Sequence, residues 1–60
     1  MKYYVEYNGK IMKMFNTIAR ALAFIVSKGY MNNNNDLLRV FDSESNEYDP
    51  NTGEVLEEIQ

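Results

Sequence analysis

Cysteine and histidine are both missing from the chain. Without cysteine, neither a disulfide framework nor a thiolate zinc site can form. Without histidine, the commonest transition-metal ligand and the commonest general base are gone too. Long apolar runs are also lacking. Ala21 to Ser27 carries no charge, but this falls far short of the ~20 residues that span a bilayer. The first residues, Met1-Lys2-Tyr3-Tyr4-Val5-Glu6, include an acid and no apolar signal segment, so a cytoplasmic location without a membrane partner is expected. Nothing matches a glycine-rich phosphate loop, and Ser27, Ser43 and Ser45 have no base to activate them. The expectation is a protein that is not an enzyme, with no catalytic residues, cofactor or metal.

The charges that are present separate along the chain. Residues 1–35 carry Lys2, Lys10, Lys13, Arg20 and Lys28 against Glu6, a formal +4. Residues 36–60 carry Arg39 against Asp36, Asp42, Glu44, Glu47, Asp49, Glu54, Glu57 and Glu58, a formal −7. Such a split governs which partners each surface attracts, not which fold forms. Apolar residues make up 45% of the chain and eight residues are aromatic, which argues against disorder. Sixty residues allow one domain, spanning 1–60, with a narrow core. With disulfides and thiolate metal sites excluded, self-association is the remaining support for so small a fold.

Lys2 to Phe15 reads as a β-hairpin. Asn8-Gly9 matches the type I′ turn, whose two central residues both need positive φ. A two-residue loop pairs Tyr7 with Lys10, Val5 with Met12 and Tyr3 with Met14. One face then holds Tyr3, Val5, Tyr7, Met12 and Met14. The other holds Tyr4, Glu6, Ile11 and Lys13, with Glu6 and Lys13 diagonal neighbours. A helix is expected over Thr17–Lys28, capped by Asn16 or Thr17 and ended by Gly29 in the left-handed conformation. Tyr30 would follow it, placed to pack back on Ile25. Ile18, Ala21, Leu22, Ile25 and Val26 form its apolar stripe. Phe24 falls at the stripe's edge, between Arg20 and Lys28, where it serves either as peripheral core or as an exposed interface anchor.

Asn32 to Asn35 is a polar loop. Leu37–Phe41 is a strand with Leu38 and Val40 inward and Phe41 outward, partly exposed. Asp42–Asn46 and Asp49–Gly53 are turns, the second with Pro50 at its i+1 position and Gly53 supplying positive φ. Residues 54–59 fit a short strand better than a helical turn. The sum is an α+β fold: a small two-layer antiparallel sheet (hairpin, one helix, then two or three short strands) with the helix on one face.

Asp42, Glu44 and Asn46 fall at positions 1, 3 and 5 of a calcium loop, but position 6 is Glu47 rather than glycine and position 12 is Gly53 rather than glutamate. A helix sealing only one side of the sheet leaves Tyr4, Ile11 and Phe41 on the other, and such rings are typical interface anchors. With Phe24 they form the expected protein interface, open to a protein partner or to a second copy as a homodimer. Asp42, Glu44, Glu47, Glu57 and Glu58 form an acidic surface that would speed encounter with a basic partner, in its sharpest form by competing for a nucleic-acid-binding surface. The expected function is thus a small adaptor, regulator or inhibitor. The alternatives are nucleic-acid binding by the basic, aromatic N-terminal hairpin, and a purely structural homo-oligomer.

Overall fold

The computed structural model of the chain describes residues 1–32 and 35–56. Strand β1 (Tyr3–Tyr7) turns through Asn8-Gly9 into β2 (Lys10–Phe15), and helix α1 (Ile18–Lys28) follows. Two short 3₁₀ segments, Tyr30–Asn32 and Asn35–Leu37, lead into β3 (Leu38–Asp42) and the two-residue β4 (Glu47–Tyr48). All pairings are antiparallel and the strand order is β2-β1-β3-β4. The expected two-layer α+β fold is therefore the one observed: a four-stranded antiparallel sheet with a helix packed against β1 and β2.

The local signals act as their chemistry dictates. Asn8 and Gly9 have φ of 55° and 77°, the two positive values of a type I′ turn. Thr17 caps α1 from an extended conformation, its Oγ1 accepting from the Arg20 amide at 3.2 Å. Gly29, with φ 72°, closes the helix by donating its amide to the Ile25 and Val26 carbonyls. Tyr30 then stacks on Tyr7, ring centroids 4.4 Å apart.

The regular hairpin register does not persist. Glu6 pairs with Ile11 but Val5 pairs with Lys13, so Met12 is an extra residue, a β-bulge. One inserted residue sends everything beyond it to the opposite face. Lys13 moves to the helix side, Met14 moves outward opposite Tyr4, and Phe15 takes the core side opposite Tyr3. The expected inward placement of Met12 and Met14 is corrected accordingly: both are exposed. The physical reason lies in the helix layer, where Phe15 meets the Phe24 ring at 5.2 Å and the Lys13 ammonium sits 5.6 Å from the Phe15 centroid. Glu6 loses its expected lysine neighbour and pairs with Arg39 instead.

Val5, Ala21, Ile25, Leu38, Val40 and Tyr48 are the buried core, with Leu38 and Val40 inward as expected. Val26 departs from the expected stripe and is 72% exposed. Ala21 and Ile25 are the contact line of α1, and Val26, about 100° further round the helix, is carried past it. After β4, Gly53 closes the Asp49 turn by donating its amide to the Asp49 carbonyl at 2.7 Å. Its φ is +80°, and a Cβ there would lie 2.9 Å from Leu22 Cδ1. Glycine is thus favoured by conformation, and any Cβ there would also displace the tip of the Leu22 side chain on α1. Val55 forms a bridge to Tyr48, so the extended reading holds at that position; residues 57–60 lie outside the described residues. Among the described residues, no helix is long and apolar enough to cross a membrane.

Candidate functional site

The period-two alternation of β-strands assigns one sheet face to α1 and the other to the outside. Val5, Leu38 and Val40 take the helix side, which leaves two cross-strand rows on the outer face. The first row runs Met14–Tyr4–Phe41–Glu47 across all four strands, and the second runs Ile11–Glu6–Arg39 across β2, β1 and β3. Ile11 is 55% exposed and Met14 48%. Among the described residues no element packs over either row.

Tyr4 and Phe41 are directly opposed in register and their rings stack, with centroids 5.5 Å apart and planes 27° from parallel. Each therefore stabilises the orientation of the other and presents a fixed apolar surface. Beside them, Arg39 reaches Glu47 Oε1 at 3.3 Å and Glu6 Oε2 at 3.6 Å, with its guanidinium 5.6 Å from the Phe41 ring centroid. The hydrogen bond and charge of Glu47, and then of Glu6, raise the Arg39 pKa further above its ordinary value. One cation between two carboxylates leaves the face with a formal −1. Arg39, Phe41, Ser45 and Glu47 also line a shallow cleft of about 240 Å³, below the ~300 Å³ at which small-molecule pockets begin.

Of the four expected interface residues, the structure brings Tyr4, Phe41 and Ile11 together on this face. Phe24 is elsewhere. It is half-buried on α1, packed against Phe15 and 6.0 Å from the Tyr30 ring, with the Lys28 ammonium 5.6 Å from its centroid. One member of the outer face and one of its contacts escaped the sequence. Met14 arrives there only because of the bulge, which no local signal announces. Arg39 was legible as outward-facing, but its position between two acids depends on the register of β1 with β3.

The acidic surface is smaller than expected. Asp42 is corrected: it is 2% exposed and does not face solvent. It continues the inward alternation of Leu38 and Val40, so it ends β3 on the core side. Its carboxylate accepts from the Tyr48 hydroxyl at 2.7 Å, the Asn46 side-chain amide at 3.1 Å, and the backbone amides of Glu44 at 2.8 Å and Asn46 at 3.0 Å. Burial pushes the Asp42 carboxyl up, but these donors more than offset it and hold it at about 2. Reciprocally, the bond to Asp42, together with burial, pushes the Tyr48 hydroxyl up to about 12. Asp42 therefore locks the β3–β4 turn. Glu44 is exposed on that turn, Glu47 belongs to the outer face, and Glu57 and Glu58 lie outside the described residues. Among the described residues, no group of three or more potential ligand side chains is placed to hold a metal.

The charge split of the sequence becomes a split in space. Lys10 and Lys13 lie on β2 at one edge of the sheet, while Glu44, Asp49 and Glu54 flank β4 at the other. Comparison of the chain with protein-family models, with curated proteins and with solved structures finds no match.

Proposed function

We propose that the protein is a small non-catalytic binding module, an adaptor or regulator working in the cytoplasm, that recognises a protein surface through the outer face of its sheet. The observation that carries this reading is the Met14–Tyr4–Phe41 row with Ile11 beside it, Ile11 and Met14 exposed and the two rings half-buried, on a face that no described element covers while α1 packs on the opposite one. Preordered aromatic rings with a charged margin are what protein interfaces use as anchors.

Two other readings fit less well. A nucleic-acid-binding face needs cations beside its stacking rings. Here Arg39, beside Phe41, is already held by two carboxylates, Lys2, two residues before Tyr4, bonds the Asn16 side chain at 2.7 Å, and the bulge turns Lys13 to the other side. Competition for a basic surface loses Asp42 to the core and shares Glu47 with Arg39.

The test is capture from native cell extract with a tagged chain, comparing wild type, Ile11→Lys with Met14→Lys, and Ala23→Lys on the exposed side of α1. The reading predicts a captured protein, the chain's own untagged copy included, that the double variant loses and Ala23→Lys keeps. Equal capture by all three would remove the outer face from consideration.

A further inference from the structure

We infer that the partner seated on the outer face is a second copy of this chain, packed sheet to sheet about a two-fold axis that runs along the strands between β1 and β3. The inference rests on the protein-binding reading above and names its partner.

The pattern of the face carries it. A two-fold in that position lays β1 of each copy over β3 of the other, and β2 over β4. In the first row, Tyr4 and Phe41 are opposed across β1 and β3, so each Tyr4 comes to lie over the partner's Phe41. In the second row, Glu6 and Arg39 are opposed across the same line, so each Glu6 comes to lie over the partner's Arg39. Rings meet rings and acid meets base, twice over, from one operation. A face with both rings or both charges on one strand would not match itself in this way.

Two further observations point to the same occupant. The buried core among the described residues is six apolar side chains, and the chain has no cysteine to staple it. A partner chain is one of the supports that folds of this size use when disulfides are excluded. The edges of the sheet are also poorly suited to pairing. The β2 edge is interrupted by the Met12 bulge and carries Lys10 and Lys13, while β4 is covered by the Val55 bridge. Self-association is thereby directed to the face.

The face is small. Four strands at ~4.8 Å and five residues at ~3.3 Å give roughly 19 Å by 17 Å. That is about 320 Å² per copy and about 650 Å² in total, well below the ~1,200–2,000 Å² typical of stable specific complexes, so the dimer is a weak and reversible one.

Sedimentation of the purified full chain between about 1 and 300 µM tests this, a range wide enough to reveal a weak, reversible dimer. Wild type should approach twice its 7.0 kDa mass at the top of the range and dissociate toward the bottom. Ile11→Lys and Met14→Lys, both at exposed positions, should remain monomeric with an unchanged circular dichroism spectrum. The decisive arm uses charge reversal. Glu6→Arg alone and Arg39→Glu alone should each be monomeric, because like charges then oppose each other across the axis. Mixed one to one, they should form a heterodimer. The arginine introduced in one chain then faces the glutamate introduced in the other, and the first chain's native Arg39 faces the second chain's native Glu6. A monomeric wild type at every concentration, a dimer unmoved by Ile11→Lys and Met14→Lys, or a mixture that stays monomeric overturns the inference. The protein-binding reading fails separately: it survives a monomeric wild type if the face variants still lose a captured protein of another kind, and falls if they do not.

Discussion

The bulge at Met12 makes the register of β2 measurable by stability alone. A regular hairpin would place Met14 against the helix and Phe15 outside; the bulged one reverses them. Truncating a fully buried phenylalanine costs about 3–5 kcal/mol. Phe15 is half-buried, so Phe15→Ala should cost about 2 kcal/mol. Of this, the ring pair with Phe24 contributes about 0.5–1.5 kcal/mol and the Lys13 ammonium about 0.5–1 kcal/mol. Met14 lies outward and roughly half exposed, so Met14→Ala should cost about 1 kcal/mol or less. Deleting Met12 should be tolerated within about 1 kcal/mol, because a one-residue bulge can be removed with the Val5–Lys13, Tyr4–Met14 and Tyr3–Phe15 pairs left in place. Against a total of about 3–9 kcal/mol for a 60-residue domain, these differences are resolvable. Urea unfolding followed by far-ultraviolet circular dichroism, at about 1 µM to keep association out of the measurement, gives each value by linear extrapolation. A larger loss for Met14→Ala than for Phe15→Ala, or an unfolded Met12 deletion, would refute the register.

The Asp42–Tyr48 pair sets both limbs of a pH profile. Asp42 is depressed from 3.8 to about 2, so its contribution is complete above pH 4 and is lost as pH falls through about 2. Tyr48 is raised from 10.0 to about 12, so its contribution is complete below pH 10 and is lost as pH rises through about 12. Melting temperature against pH should show both declines, with Asp42→Asn flattening the acid one and Tyr48→Phe the alkaline one; limbs unchanged by these substitutions would contradict the assignment. Gly53→Ala should cost about 1–2 kcal/mol from its left-handed φ, with a further loss from pushing Leu22 Cδ1 aside. In a Leu22→Ala background only the φ cost should remain, and a thermally neutral Gly53→Ala would show that the turn does not need glycine.

What could be read from the sequence was local. Asn8-Gly9, Thr17 and Gly29 each act through the conformation or hydrogen bond that their own chemistry provides, and Leu38 with Val40 follows from alternation within one strand. The bulge was not legible, because Met12-Lys13-Met14-Phe15 offers two acceptable faces and the choice is made by Phe24 on another element. Asp42 was within reach. Extending the inward positions 38 and 40 by one more step places it in the core, where the Tyr48 hydroxyl and the Asn46 amide complete its hydrogen bonds. Its charge and its place before a polar turn drew the opposite expectation. The outer face lay between these cases: Tyr4, Ile11 and Phe41 were predictable as outward, whereas the Arg39 bridge between Glu6 and Glu47 depends on register across three strands.

The claim that the outer sheet face is where this protein meets a second copy of itself is tested most directly by methyl nuclear magnetic resonance of the unaltered chain as its concentration is raised. The Ile11 δ-methyl and the Met14 ε-methyl should shift progressively, while the methyls of Ile18 and Val26 on α1 hold still. Stationary face methyls, or shifts confined to α1, would contradict it.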